Sequence, residues 1–247
     1  MAWVRTLFRS VVTSLVGFVA TVIAVPVVMT IAFINETSPW IDRVIRAWSR
    51  AWLAASGTQL TIVGQEVIDP SRSYVVVANH QSALDIMACF LAVPLPIRYL
   101  AKKELFRIPL FAQGMRAVGI VEVDRKARSA VHAEVNRKSK ELVEKGRSLI
   151  IYPEGTRPRD GALDPFKKGA FTMAIASQLP ILPVTIHGTY EAWKPGTLWI
   201  RGGPVSVVVD KPIPTEGMTH SDAGDLTKKV YTIIANHVTE MGGSIRV

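Results

Sequence analysis

Tyr74-Val75-Val76-Val77-Ala78-Asn79-His80-Gln81-Ser82-Ala83-Leu84-Asp85 is the stretch on which the reading of this chain turns. The β-rich run Tyr74–Ala78 predicts a strand buried on both faces, and Ser82–Leu91 predicts the helix that follows it. The same kind of run recurs at Leu60–Val63, Val118–Val123, Ser148–Tyr152, Ile181–Ile186 and Val205–Val209. Helical patterns separate these runs at Ala127–Lys145, Phe166–Leu179 and Asp222–Met241. Ala127–Lys145 carries Glu134/Lys138 and Glu141/Lys145 pairs four apart, with Gly146 where a helix-ending glycine belongs. Apolar strands alternating with helices predict an α/β fold, a mainly parallel sheet flanked by helices. No linker or repeat interrupts the chain beyond residue 57, so residues 58–247 read as one α/β domain.

Upstream, residues 10–35 carry no charge, and Val11–Ile34 is almost wholly apolar. As a helix it is about 36 Å long, enough to cross a hydrocarbon layer of about 30 Å. It exceeds the apolar core of a cleaved signal peptide, and Ala24-Val25-Pro26 is a poor cleavage site. Pro26 can bend the run. After it, Ser38 and Pro39 start a second helix that Gly57 ends. Ile41, Val44, Ile45, Trp48 and Trp52 share one face of that helix, with Arg43, Arg46 and Arg50 opposite. A basic amphipathic helix of this kind suits a membrane interface, and equally an ordinary helix packed on its own domain. Residues 1–57 are therefore expected to form a hydrophobic two-helix membrane anchor. A single span would place Arg5 and Arg9 on the outer side, against the usual distribution of basic residues. A monotopic anchor at the cytoplasmic face of the cell membrane is the expectation.

The 247 residues are 49% hydrophobic and 20% charged, which excludes a disordered chain. The single cysteine, Cys89, excludes a disulfide framework and falls on the apolar pattern of its helix. Lys and Arg number 29 against 20 acidic residues, and the excess is local: residues 98–168 hold 17 Lys/Arg and 9 Asp/Glu. Such a region binds something anionic. Nucleic acid is not expected, because no nucleic-acid motif appears. Nor is a metal: His80, Asp85 and His187 form no compact ligand cluster, and His187 reads as a strand-end structural residue.

Three polar clusters sit at strand ends. In the first, His80 and Asp85 can meet if His80 lies in the turn and Asp85 in the first helical turn, giving an oriented general base. Ser82-Ala83-Leu84-Asp85 also reads as a capping box, which would employ Asp85 structurally. The second, Gly119-Ile120-Val121-Glu122-Val123-Asp124-Arg125, has a surface turn as its plain reading. The third, Tyr152-Pro153-Glu154-Gly155-Thr156-Arg157, is more specific. Its glycine permits close backbone approach and its arginine can fork onto phosphate oxygens.

In this order and spacing the clusters resemble the glycerolipid acyltransferase family, in particular its 1-acyl-sn-glycerol-3-phosphate acyltransferases. Ile181-Leu182-Pro183-Val184, Lys102-Lys103-Glu104-Leu105 and Phe166-Lys167-Lys168-Gly169 extend the resemblance over about residues 60–210. Glu122-Val123 departs from the phenylalanine and isoleucine frequent there. The resemblance implies acyl transfer from a thioester, acyl-CoA or acyl carrier protein, to the sn-2 hydroxyl of lysophosphatidic acid, with no cofactor. It implies His80 and Asp85 as catalytic residues, and Lys102, Lys103, Arg125, Glu154, Gly155, Thr156 and Arg157 as the acceptor site. Glycerol-3-phosphate or another lysophospholipid as acceptor, a thioesterase, and a catalytically silent membrane protein remain the alternatives.

Overall fold

In this computed structural model, which describes residues 2–123, 137 and 140–246, seven strands form one sheet in the order β1-β7-β6-β2-β5-β3-β4. The strands are β1 (Thr58–Val63), β2 (Val75–Ala78), β3 (Ile97–Lys102), β4 (Val121–Val123), β5 (Ser148–Ile151), β6 (Ile181–His187) and β7 (Gly203–Val209). The helices are α1 (Ala2–Ile34), α2 (Pro39–Ala55), α3 (Leu84–Ala92), α4 (Phe111–Ala117), α5 (Gly169–Ala176), α6 (Thr189–Ala192) and α7 (Ala223–Glu240). Every strand pair is parallel except β6–β7. The α/β architecture with a mainly parallel sheet is as expected. Of the predicted Ala127–Lys145 helix, residues 137 and 140–144 are helical, and the remainder falls outside the described residues, as do Asp124 and Arg125.

β2 shows why the strands read as unbroken apolar runs. Val76 and Ala78 face a core shared with α2 and α3, while Val75 and Val77 face a second core built from α5 and α7. The strand has no polar face because helices cover both sides.

β3 had no sequence signal, because Arg98 interrupts its apolar run. That guanidinium is buried and bonds Asp42 of α2 at 2.6 Å, so the charge is neutralised inside the fold. Removing one partner of such a pair typically costs about 3–5 kcal/mol. α4 has a weak sequence signal for a related reason. It is seven residues long and carries Gly114, a poor helix former, which lets Val25 of α1 approach: a Cβ there would lie 2.7 Å from Val25 Cγ2.

The second helix corrects one expectation. Ser38 caps it and Pro39 occupies its first turn, as predicted. Its apolar face, however, is turned onto the protein and not toward lipid. Ile41, Ile45 and Leu53 are in the main core, and Trp48 and Trp52 pack against it. The Trp48 indole N–H donates to Thr21 Oγ1 of α1 at 2.9 Å, and a side chain at Gly17 of α1 would run into the Trp52 ring. Trp52 in turn stacks on Trp193 at 6.2 Å.

α1 is the one described helix long and apolar enough to cross a membrane. Its amphipathy is inverted relative to a soluble helix. Ser10, Thr13 and Gly17 face inward, while Phe8, Val11, Leu15, Phe18 and Ile23 are exposed. The inward hydroxyls are bonded: Ser10 Oγ accepts from Ile200 N at 2.8 Å, and Thr13 Oγ1 donates to Ala55 O at 2.9 Å. The helix is unbroken through Pro26.

Candidate active site

Because β2, β5, β3, β4 and β6 run in the same direction, their carboxyl ends lie along one edge of the sheet. Ligand sites of open α/β sheets lie at that edge. His80 follows β2, Lys102 ends β3, Glu154–Arg157 follow β5, and the Asp124-Arg125 pair follows β4 in sequence but lies outside the described residues.

His80 is held from three sides. Its Nδ1 lies 2.8 Å from Asp85 Oδ2, in the first turn of α3. Its backbone N–H donates to Glu154 Oε1 at 2.6 Å. Its ring stacks on Tyr152 with centroids 3.9 Å apart and planes within 7°. Asp85 is fully buried, and the oxygen facing the imidazole also accepts the backbone N–H groups of Gln81 at 2.6 Å and Ser82 at 2.7 Å. A carboxylate oxygen already accepting two amides takes an N–H from the ring, so Nδ1 carries the proton and the lone pair is on Nε2. The capping and catalytic readings of Asp85 thus meet in one oxygen: its bond to Ser82 N is the return half of a capping box. Ser82 Oγ accepts from Leu84 N at 3.3 Å, a weak cap on the first turn. It donates to Trp193 O at 2.7 Å, and Ala83 is the helix N-cap.

The loop around the histidine is fastened to neighbouring strands. The Asn79 side chain donates to Ile186 O at 2.8 Å and accepts from Ile186 N at 2.7 Å, so it continues the β2–β6 pairing one residue past the strand. Gln81 Nε2 donates to Gly161 O at 2.9 Å.

Glu154 faces inward. It is 3% exposed, and its other oxygen accepts from Asp164 N at 2.9 Å. Burial pushes its carboxyl up to about 8, and the two amide hydrogen bonds pull the other way without offsetting it. The carboxyl group therefore ties the histidine loop to the turn that leads to Asp164. Gly155 adopts φ +80°, and a Cβ there would come within 2.7 Å of the Lys167 ammonium, so only glycine lets that cation sit against the turn. Thr156, Arg157, Lys102 and Lys103 are exposed, and Arg157 has no ion-pair partner among the described residues.

Tyr152 and Lys167 are functional-site candidates that sequence reasoning did not assign a role. Tyr152 stood in the motif stretch as the last residue of a predicted strand, with nothing to say that its ring would lie under His80. Its hydroxyl is 3.4 Å from that of Tyr99, and burial holds both phenols well above their ordinary range. Cys89 lies in the same core, its thiol pushed up to about 12 by burial, which suits a packing role. His187 closes β6 and is half-buried. Among the described residues no group of three or more His, Cys, Asp or Glu side chains could hold a metal ion.

A family model described as "Acyltransferase" matches residues 59–187, more than half of the chain. The chain is 33% identical over 184 residues to a 1-acyl-sn-glycerol-3-phosphate acyltransferase of Cocos nucifera, covering 74% of this chain and 59% of that protein. It is 30% identical over 174 residues to the human 1-acyl-sn-glycerol-3-phosphate acyltransferase alpha, covering 70% of this chain and 62% of that one. The chain thus spans less than two thirds of the length of these curated relatives. Among solved structures, the 1-acyl-sn-glycerophosphate (LPA) acyltransferase PlsC of Thermotoga maritima superposes with a TM-score of 0.84 at 26% identity, covering 98% of both chains.

Proposed function

The chain belongs to the acyltransferase family, and from that premise we propose that it transfers a fatty acyl group from a thioester to the sn-2 hydroxyl of 1-acyl-glycerol-3-phosphate, forming phosphatidic acid. The observation that carries this reading is the imidazole of His80, held by buried Asp85 at an edge that also displays Lys102, Lys103, Arg157 and Lys167. His80 Nε2 takes the hydroxyl proton as that oxygen attacks the thioester carbonyl. The tetrahedral intermediate collapses, the carbon–sulfur bond breaks, and the departing sulfur receives the proton from the imidazolium. Asp85 fixes the tautomer and stabilises the cation. Arg157, with Arg125 and Lys102 or Lys103, holds the acceptor phosphate, while Glu154, Gly155 and Thr156 shape the turn that presents it. The donor is acyl-CoA or acyl carrier protein, and no cofactor is required. Purified protein given both donors and both acceptors tests this. Phosphatidic acid formed from the lysophospholipid supports the proposal, and acylation of glycerol-3-phosphate alone overturns the acceptor assignment.

Residues 1–57 are proposed as the membrane-associating segment and residues 58–247 as the acyltransferase domain on which it is packed. The arrangement is monotopic and at the cytoplasmic face of the cell membrane, where a thioester made in the cytosol meets the site. Two features of α1 support this: its outward face is apolar, and it rests on the domain near both ends. Trp3 lies 6.4 Å from Trp199, Arg9 bonds Arg201 O, and Val25 packs on Gly114. A helix lying along the domain from end to end is suited to one leaflet, not to a perpendicular span. Single cysteines at positions 2 and 57, in a Cys89→Ala background in sealed vesicles, should both react with an impermeant thiol reagent from the cytosolic side. Labelling of position 2 from the opposite side defeats the monotopic arrangement.

A further inference from the structure

The arginine face of α2 has no part in the reaction proposed above. Arg43 and Arg46 line a cavity of about 320 Å³ together with Lys145 and Arg147, at the turn joining α1 to α2. The acidic groups there are already engaged. Asp42 bonds Arg98, and Glu36 bonds Lys145 at 2.6 Å through a pair whose side chains are 40% and 59% exposed, a geometry worth little in water. Arg147 is buried and anchors the wall by donating to Glu36 O. The cavity therefore carries an excess of positive charge on guanidinium groups, which match phosphate oxygens in a forked geometry.

Its surroundings say where that phosphate comes from. Phe33 and Ile34, at the end of α1, are 93% and 79% exposed, and Trp40, at the start of α2, is 58% exposed. The Arg43 guanidinium lies over the Trp40 ring at 4.3 Å. This apolar tip continues the outward face of α1 and borders the basic cavity on the two sides of one turn. The cavity also lies at the opposite edge of the sheet from His80. Pro94 and Pro96 precede β3 and Arg147 precedes β5, whereas the catalytic groups follow their strands. The length of β3 separates the two edges, about 20 Å.

We infer that this cavity binds the phosphate of an anionic membrane phospholipid, whose acyl chains lie along Phe33, Ile34 and Trp40, as an anchoring site distinct from the acceptor site. The inference rests on the membrane reading above and adds a headgroup preference to it. A phosphate there accounts for two arginines on one helix face, Arg43 and Arg46, that have no acidic partner among the described residues. It also implies that the lipid surrounding the enzyme, and not only its substrate, sets how firmly it docks.

The test is sedimentation with vesicles of phosphatidylcholine alone and of phosphatidylcholine containing phosphatidic acid. Arg43→Gln/Arg46→Gln should lose about 25-fold in binding to the anionic vesicles, about fivefold per charge near a membrane surface, with binding to neutral vesicles unchanged. Lys228→Gln/Lys229→Gln, which removes the same charge from exposed positions on α7, should keep the wild-type preference. Arg46 donates to Leu95 O at 3.3 Å, so Arg43→Gln alone serves if the double variant melts early; Arg43 makes no hydrogen bond among the described residues. Equal losses in the arginine and lysine pairs overturn the site in favour of diffuse charge. A rise in melting temperature with inorganic phosphate, abolished by the arginine substitutions and matching that given by the lipid, assigns the cavity to a soluble anion and overturns the lipid assignment. Failure to bind either vesicle overturns the membrane reading itself and the inference with it.

Discussion

His80→Ala is expected to lower turnover by about 10²–10⁴-fold, the usual worth of a positioned general base, while the melting temperature stays near that of wild type. The ring is stacked on Tyr152 and half-buried, so its removal costs packing, but the loop is still fastened by Asn79, Gln81 and the His80 backbone bond to Glu154. Asp85→Asn separates charge from geometry. One oxygen of Asp85 makes all three hydrogen bonds and the other makes none. An amide can present its oxygen in the same place and keep the loop folded, but it lacks the negative charge that stabilises the imidazolium and places an NH2 at the buried, partnerless position of Oδ1. Its turnover should fall by a comparable factor, with a smaller loss of stability than full truncation gives. Asp85→Ala, by contrast, leaves two buried amide donors without an acceptor and should lower the melting temperature as well. Near-normal turnover in folded His80→Ala removes the histidine from the chemistry.

Arg157→Ala is the second large effect. A hydrogen bond to a charged group is worth about 1.5–3 kcal/mol, which corresponds to about 10–150-fold in kcat/KM for the acceptor. Arg157 is exposed at the carboxyl edge without an ion-pair partner among the described residues, so the substitution breaks no such contact in the fold. The loss should appear with acceptor concentration and not with donor concentration. Arg157→Lys should recover part of it, since a lysine keeps the charge and loses the fork. An unchanged response to acceptor concentration in both variants takes Arg157 out of phosphate recognition.

The backbone of the site was legible because its logic is local. A buried strand, a polar turn and a helix start are all contained in residues 74–85, and the glycine at 155 carries its own conformational signal. What could not be read depends on partners distant in sequence. Nothing near Glu154 in sequence shows that its two oxygens accept from His80 N and Asp164 N. Tyr152 gains its place under His80 only when β5 pairs with β2. Arg98 interrupts the apolar run of β3, and the partner that lets it be buried there, Asp42, is 56 positions away. The tryptophans of α2 illustrate an ambiguity that periodicity alone leaves open. A helix with one apolar and one basic face fits lipid and fits a protein core, and Gly17 of α1, a hole shaped to Trp52, decides for the core.

In the proposed reaction His80 activates the acceptor hydroxyl itself, without activating water and without an acyl-enzyme. Thiol release from the acyl donor, followed with lysophosphatidic acid and with an analogue lacking the sn-2 hydroxyl, tests it most directly. Thiol released one-for-one with phosphatidic acid, and no release above background with the deoxy analogue, is the expected result. Steady thiol release with the analogue, or a burst of thiol before any acceptor is added, would contradict it.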